Sequence, residues 1–383
     1  MRREERPQVL VAEDDPKQRE ALAMLLKLQL DVRVTEVGTV AAALAVLSEE
    51  AGAIDVVITD MHFGSRAREG GLEIVRAARA LSEVAPDVIV TTAYATQENA
   101  IAAMEAGAAW YVDKALPDAW RVLLLDRARK SLHVRSLRTE VEQRRREMEA
   151  DLLRAGRLQA SMAAPDDIQV PGWRVTSRSM PARAVSGDFV EVIDWRDGST
   201  VCVIGDAAGH GVRSALVGTM VRLAIRGAVR RASSAEEIRR EIGAFDFLQL
   251  PDSCTLLMFV LHAEGGLDVL NAGHPAPIVV GSSGVRAVSL SGGILVTGLP
   301  GFPVLQWRSI DVEKGGHVVA VTDGVTECLD EEGRELGMGG LAEAVKACVL
   351  NERWLTDGIA ELVVLREGSE MRDDVTILVM SRE

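Results

Sequence analysis

Cysteine is scarce and scattered: Cys202, Cys254, Cys328 and Cys348 are the four in the chain, and no two form a CxxC pair. Such spacing argues against a disulfide frame or a cysteine zinc site, and predicts core thiols in a reducing, cytoplasmic compartment. No apolar run approaches the ~18–20 residues of a membrane span. The start, MRREERPQVLVAEDD, lacks the long apolar centre of a signal peptide. Basic charge is in deficit, with 43 Lys plus Arg against 57 Asp plus Glu and a net charge of −14. Such a surface repels polyanions, which argues against a general nucleic-acid or membrane-surface binder. What is present, 48% apolar and 26% charged residues over 383 positions, is the composition of a folded protein. At ~150 residues per domain, the length predicts two or three domains.

Residues 8–115 alternate short apolar runs with amphipathic stretches. QVLVA (8–12), VRVTEV (32–37), DVVIT (55–59), DVIVTTA (87–93) and AWYVD (109–113) read as buried strands, while Pro16–Leu30 and 71–81 carry apolar residues at helical spacing. This alternation predicts an α/β doubly wound five-stranded parallel sheet covered on both faces, with chemistry at the C-terminal strand ends. From 120 to about 162 the composition changes: glycine falls to Gly156 alone, and proline is absent between Asp118 and Ala164. A seven-residue spacing links Val134, Val141, Met148, Ala155 and Met162, with Leu137, Leu152 and Leu158 near the intervening positions. That pattern predicts a helical coiled-coil linker whose partner helix comes most simply from a second copy, giving a homodimer. Arg144, Arg145 and Arg146 alternate with Glu142, Glu147 and Glu149, which reads as a solvated face rather than a nucleic-acid contact. After Ala164-Pro165-Asp166 the chain turns strand-rich, from WRVTS (173–177) to VTILVM (375–380), with helical patterns at Val212–Arg231, 341–349 and 356–365. Runs of strands separated from runs of helices predict an α+β sandwich. The expected division is 1–119, 120–163 and 164–383.

Glu13, Asp14 and Asp15 follow the first predicted strand and Asp60 follows the third, so these acids share one edge of a parallel sheet. Converging carboxylates repel one another unless a cation sits between them, and oxygen ligands of this kind suit Mg²⁺. Thr92 ends the fourth strand and Lys114 the fifth. A single strand-end acid is commonly a helix cap; acids, hydroxyl and lysine on four strand ends point to chemistry. On VLVAEDDP, DVVITD, VIVTTAYAT and AGAAWYVDK, residues 7–125 resemble the receiver domain of bacterial response regulators. The resemblance implies that Asp60 accepts a phosphoryl group from a sensor histidine kinase or phosphotransfer protein. It further implies that Glu13, Asp14, Asp60 and the His62 backbone carbonyl hold Mg²⁺, that Lys114 and Thr92 contact the phosphoryl oxygens, and that Tyr111 moves with Thr92. Metal and lysine would neutralise the charge of the transferring group. Two departures stand out: Ala115 follows Lys114 where proline is usual, and the loop MHFGSRAREGG lacks a proline turn and brings Arg66 and Arg68 close to the site.

Four Asp-containing turns punctuate the C-terminal segment beside apolar strands: SGD (186–188), GDAAGHG (205–211), TDG (322–324) and RDD (372–374). Their glycines allow close backbone approach, and aspartates gathered this way would suit two divalent ions acting on a phosphate ester. Any one such turn is ordinary turn chemistry. Together with LQASMAAPDDIQVPGW and LDVLNAGHPAPIVV, they make roughly residues 155–383 resemble the SpoIIE/RsbU branch of metal-dependent serine/threonine phosphatases. The resemblance implies two packed antiparallel sheets flanked by helices. It implies metal roles for Asp188, Asp206, Asp323 and Asp373, with Asp374 as the alternative to Asp373, and a carbonyl-ligand role for Ala207, the metals being Mn²⁺ or Mg²⁺. Ser186 stands where glycine is usual, and residues 232–253 match weakly. His210 and His274 read as loop-shaping residues, and no Ser-His-Asp constellation stands out.

The architecture implied is a response regulator whose phosphorylation at Asp60 controls a phosphoprotein phosphatase, by resemblance acting on a phosphorylated anti-sigma-factor antagonist. The alternative is a catalytically weak or inactive phosphatase-like domain serving as a phosphorylation-regulated partner-binding scaffold. Four mutually repelling carboxylates, which a scaffold has no reason to gather, favour the enzyme.

Overall fold

A computed structural model of the chain describes residues 6–50, 52–64, 70–81, 85–116, 119–244, 253–290, 295–296, 305–351, 354–368 and 371–383. It divides into two compact units, Met1–Arg146 and Glu147–Glu383.

In the first unit, β1 (Gln8–Ala12), β2 (Arg33–Val37), β3 (Val56–Asp60), β4 (Asp87–Thr92) and β5 (Trp110–Asp113) form a parallel sheet in the order β2-β1-β3-β4-β5. Helices α1 (Pro16–Leu30), α2 (Val40–Glu49), α3 (Gly70–Arg79), α4 (Gln97–Glu105) and the beginning of α5 (Ala119–Ser161) cover it. Side chains alternate between the two faces of a strand, and this sorts the core in two. Leu10, Val57, Val88 and Val90 pack with Leu47, Ile74, Val75 and Ala103 of α2, α3 and α4. Val9, Val11, Ile58 and Ile89 pack with Leu22, Leu26, Leu124 and Ala128 of α1 and α5. The predicted five-stranded, doubly wound sheet is therefore present. Strand order reverses between β1 and β3, and that switch point opens a crevice at their C-terminal ends.

Helix α5 forms the linker. Its basic run is solvated and paired within the helix: Arg144 with Glu140 at 2.6 Å, Arg145 with Glu142 at 3.0 Å and Arg146 with Glu142 at 2.9 Å. Val134, Leu137, Val141, Met148 and Leu158 of the seven-residue pattern are exposed. Among the described residues no helix is long and apolar enough to cross a membrane.

The second unit is a sandwich of two antiparallel sheets. Its strands are β6 (Asp167–Val170), β7 (Trp173–Met180), β8 (Phe189–Asp194), β9 (Thr200–Ala207), β10 (Ser253–Leu261), β11 (Leu267–Ala272), β12 (Ile278–Gly281), β13 (Gly284–Ala287), β14 (Leu295–Val296), β15 (Arg308–Ile310), β16 (His317–Val321) and β17 (Val375–Arg382). One sheet has the order β15-β11-β10-β9-β8 with β14 beside β10; the other runs β13-β12-β16-β17-β7-β6. Cys202, Ile204, Leu257 and Phe259 of the first meet Trp173, Val175, Leu378 and Met380 of the second in the central core. Helices α6 (Val212–Arg231) and α7 (Ala235–Ala244) cover the outer face of the first sheet. Helix α8 (Asp323–Thr326) is a single turn, and α9 (Gly337–Leu350) and α10 (Leu355–Glu367) cover the outer face of the second sheet.

The sandwich predicted from the strand runs is present, with elements that periodicity did not reveal. Strand β6, DIQV, alternates exposed and covered positions, but it is four residues long with Val170 alone fully buried, too short a run to stand out. Helix α7 anchors through Ile238 and Ile242 and lies in the weakly matching 232–253 stretch, of which 245–252 fall outside the described residues. The apolar-patterned run QWRSIDV (306–312) forms a strand over three of its residues, β15.

Candidate functional sites

The first site is built at the switch point. Asp15, third of the three acids after β1, is spent on the fold: its carboxylate caps α1 by accepting from the Lys17 and Gln18 backbone N–H groups at 2.8 and 3.2 Å. Glu13 and Asp14 remain, and with Asp60 they offer one carboxylate oxygen each, all within 4.8 Å of one another. Lys114 reaches in from the end of β5, its Nζ 2.6 Å from both Glu13 Oε2 and Asp60 Oδ1. Burial holds the Glu13 pKa above its ordinary value, against the opposing effect of Lys114. Three acids and one ammonium leave an excess of negative charge in a crevice of oxygen donors, and this set fits a hard divalent cation.

Asp60 Oδ2 accepts from the His62 backbone N–H at 3.0 Å, and Asp14 Oδ2 from Gly64 at 2.8 Å, so the loop after β3 is tied to the acids. Thr92 Oγ1 accepts from the Tyr94 N–H at 3.1 Å and lies 3.4 Å from His62 Nδ1. Tyr111, on β5, has its hydroxyl buried. Ala115, where proline was expected, donates its N–H to Asp113 Oδ1 at 2.8 Å, a bond proline cannot make. Arg66 and Arg68 lie outside the described residues.

The second site is gathered by two pairs of neighbouring strands. Phe189 of β8 lies opposite Gly205 of β9, so Asp188, just before β8, and Asp206, near the end of β9, share one end of their sheet. Val321 of β16 lies opposite Ile377 of β17, so Asp323, which opens α8, and Asp373 and Asp374, just before β17, share one end of theirs. Direct bonds join the two ends. Thr322 Oγ1 donates to Asp188 Oδ2 at 2.8 Å, and Asp374 accepts from the Ala182 N–H at 2.8 Å and the Gly187 N–H at 2.9 Å.

Charge crowding is severe there. Burial first, then the charges of Asp323 and Asp373, push the Asp206 pKa up to about 7, although its carboxyl lies within hydrogen-bonding reach of Asp188. Burial and Asp206 hold Asp188 well above the carboxylate range, and burial with Asp373 raises Asp323. Carboxylates crowded in this way are relieved when divalent cations replace their protons, but among the described residues it is the receiver acids, and not three of these aspartates, that bring carboxylate oxygens within 4.8 Å of one another. The two adjacent acids differ in kind. Asp374 is buried with both oxygens satisfied by backbone N–H groups, whereas Asp373 is exposed and has one oxygen engaged, by the Asp374 N–H at 2.8 Å. Asp373 is the one with a free donor.

Close approach explains two motif glycines. A Cβ on Gly187 would stand 2.8 Å from the carbonyl oxygen of Ala207, and one on Gly324 would collide with the Asp374 carbonyl. Ser186 is not among the positive-φ residues, so a side chain fits there, and its Oγ accepts from the Asp188 N–H at 3.1 Å.

His274 shapes its loop as expected: it exchanges two bonds with Asn271 at 2.9 and 3.0 Å, and its Nδ1 lies 2.8 Å from Thr255 Oγ1. Thr255 is directly opposite Asp206. Burial depresses the His274 pKa to about 3, so its ring is neutral. His210 is exposed between two positive-φ glycines, and its ring makes no hydrogen bond among the described residues. The structure also assembles a trio that sequence spacing did not reveal: Ser199 Oγ lies 3.3 Å from His262 Nδ1, and His262 Nε2 lies 2.9 Å from Asp268 Oδ2. It stands at the other end of β9 from Asp206, about 20 Å away at strand rise, and ties the β8–β9 and β10–β11 turns together. Thr322 and Asp374 were the functional neighbours least visible in sequence, since their partners lie 134 to 192 residues away.

Comparison with known proteins identifies both domains. The family model of the response regulator receiver domain matches residues 9–121, and that of Stage II sporulation protein E (SpoIIE) matches 196–383. The second match begins after Asp188, so the place of that residue rests on the geometry. The chain is 24% identical over 241 residues to Protein IcfG of Synechocystis, covering 55% of this chain and 38% of that protein. It is 21% identical over 245 residues to the phosphoserine phosphatase RsbU of Bacillus subtilis, covering 62% of this chain and 71% of that one. Among solved structures, the SiaA-PP2C domain of Pseudomonas aeruginosa superposes with a TM-score of 0.54 at 20% identity, over 63% of this chain and 98% of that chain. The RsbU and RsbW domains of a Mycobacterium tuberculosis protein superpose with a TM-score of 0.50 at 25% identity, over 58% of this chain and 63% of that chain. Residues 9–121 thus belong to the response-regulator receiver family and residues 196–383 to the SpoIIE phosphatase family, so the chain joins a receiver to a SpoIIE-type phosphatase domain.

Proposed function

We propose that the chain is a two-component response regulator in which phosphorylation of Asp60 controls a metal-dependent protein serine/threonine phosphatase. Residues 1–119 act as the receiver, 120–163 as the linker and 164–383 as the phosphatase domain. In the receiver, Glu13, Asp14, Asp60 and the His62 carbonyl would hold Mg²⁺. Asp60 attacks the phosphorus of a phosphohistidine, the bond to the histidine nitrogen breaks, and Lys114 and Thr92 receive the phosphoryl oxygens. In the phosphatase, Asp188, Asp206, Asp323, Asp373 and the Ala207 carbonyl would hold two Mn²⁺ or Mg²⁺. When bound, these ions activate water and neutralise charge on the phosphate ester. Thr322 fixes the orientation of Asp188, and Asp374 holds the loop that carries it.

The observation that carries this reading is the crowding of four aspartates from two sheets with no protein cation among the described residues to balance them. Similarity to RsbU, a phosphoserine phosphatase, supports a phosphoserine or phosphothreonine substrate, with a phosphorylated anti-sigma-factor antagonist as the favoured protein. The exposed apolar pattern on α5 supports a homodimer through the linker helix, and four buried cysteines outside any disulfide suit the cytoplasm. The scaffold reading rests on Ser186 and the weak match over 232–253, and of these Ser186 sits at an ordinary backbone angle with its hydroxyl supporting Asp188.

The test is phosphate release from a phosphoserine peptide with and without Mn²⁺. Release should require the metal and fall at least a hundredfold in Asp206→Asn. Release that is metal-independent, or unchanged in Asp206→Asn, would contradict the proposal.

A further inference from the structure

We infer that Gln159 of the linker helix is a positioning residue for the Asp188 loop, and that its side-chain amide sets how tightly the aspartate centre takes divalent metal. The inference rests on the metal role proposed for Asp188. The stretch 181–188, between β7 and β8, borders a cavity of about 450 Å³ lined by Gly156, Gln159, Ala164, Pro181, Ser186 and Asp188, among others. Polar tethers hold this stretch from both sides.

On one side Asp374 holds the Ala182 and Gly187 N–H groups. On the other, Gln159 Oε1 accepts from the Ser186 N–H at 3.1 Å, and Gln159 Nε2 donates to the Ser186 carbonyl at 2.7 Å. The amide thus meets both backbone groups of Ser186, as a neighbouring strand would. Ser186 Oγ then accepts from the Asp188 N–H, so the linkage from amide to metal-site aspartate is continuous. The serine that replaces the usual glycine supplies its last bond.

Two features hold the helix in place for this contact. Gly156, one turn before Gln159, packs against the loop so closely that a Cβ there would collide with the Ala184 carbonyl. Beyond the helix end, Arg222 of α6 donates to the Met162 carbonyl and pairs with Glu191 of β8, which is buried and also bound by Arg226 at 2.5 Å. A residue that merely packed the helix would not need to present both an acceptor and a donor to one backbone unit.

The test is Mn²⁺ binding to the full chain by titration calorimetry, in an Asp14→Asn background so that the receiver acids do not contribute, with circular dichroism to confirm folding. Gln159→Met, which keeps length but loses the amide, should bind Mn²⁺ about ten- to a hundredfold more weakly. Ser186→Gly, which keeps both bonds to Gln159 but loses the hydroxyl, should also weaken binding. The double variant should fall short of the product of the two effects, because both act through one linkage. Arg157→Met, on the exposed side of the same turn, should bind as the parent does. Mn²⁺ binding by folded Gln159→Met within twofold of the parent would overturn the positioning role. A parent that takes up no Mn²⁺ would overturn the metal reading beneath it.

Discussion

Asp373→Asn and Asp374→Asn should have opposite consequences, although the residues are adjacent. Asp374 is buried and its two oxygens accept from the Ala182 and Gly187 N–H groups at 2.8 and 2.9 Å. Asparagine keeps one acceptor and turns an NH₂ toward the other N–H, leaving a buried donor unsatisfied at a cost of about 1–3 kcal/mol. At about 2–4 °C per kcal/mol for a domain of this size, the metal-free melting midpoint of the second unit should fall by about 2–12 °C. Asp373 is exposed, and its bond from the Asp374 N–H is one an asparagine oxygen can keep. Its replacement should move the midpoint by no more than about 2 °C. It should instead weaken Mn²⁺ binding tenfold or more, because a charged metal donor is lost. Thermal unfolding of both metal-free variants, followed by Mn²⁺ titration, measures the two effects separately. An Asp374→Asn protein with normal stability and lost metal binding, beside an Asp373→Asn protein that binds normally, would reverse the assignment.

Three further outcomes are expected. The folded Asp206 pKa of about 7 lies above the usual 3.8, so the metal-free folded state holds the extra proton between those values. Relative to Asp206→Asn, the metal-free wild type should lose stability as pH rises from 4 to 7, and Mn²⁺ should remove that slope; equal slopes with and without metal would refute the crowding. The comparison cancels His274, whose pKa of about 3 acts in the opposite sense, adding stability as pH rises toward 6.5. Lys114→Met leaves Glu13 and Asp60 without the cation 2.6 Å from each. It should cost about 3–5 kcal/mol, partly restored by Mg²⁺, and an unchanged unfolding midpoint would count against the electrostatic role. Leu137→Glu with Val141→Glu should convert the chain to a monomer in light scattering if the exposed α5 pattern is a dimer seam, and a dimeric mass in that variant would exclude it.

What the sequence made legible follows the range of the interactions concerned. Strand-end residues such as Glu13, Asp60, Thr92 and Lys114 could be placed because a parallel sheet brings successive strand ends to one edge whatever the loops do. Helices Pro16–Leu30 and Val212–Arg231 were bounded correctly because proline or glycine punctuates each start. Strand β6 was missed because DIQV is an edge strand with one buried residue. Sequence adjacency could not separate Asp373 from Asp374, since the distinction lies in the Ala182 and Gly187 N–H groups, brought in across 192 and 187 residues. Gln159 lies in the segment LQASMAAPDDIQVPGW but showed no role of its own there, because its meaning depends on one backbone unit 27 residues away.

The most direct measurement is hydrolysis of a phosphate ester by the full chain with Mn²⁺, with and without beryllofluoride to mimic the phosphoryl group on Asp60. A rate that requires Mn²⁺, changes with beryllofluoride and loses that response in Asp60→Asn is the predicted result. A Mn²⁺-dependent rate identical with and without beryllofluoride would contradict control of the phosphatase by the receiver.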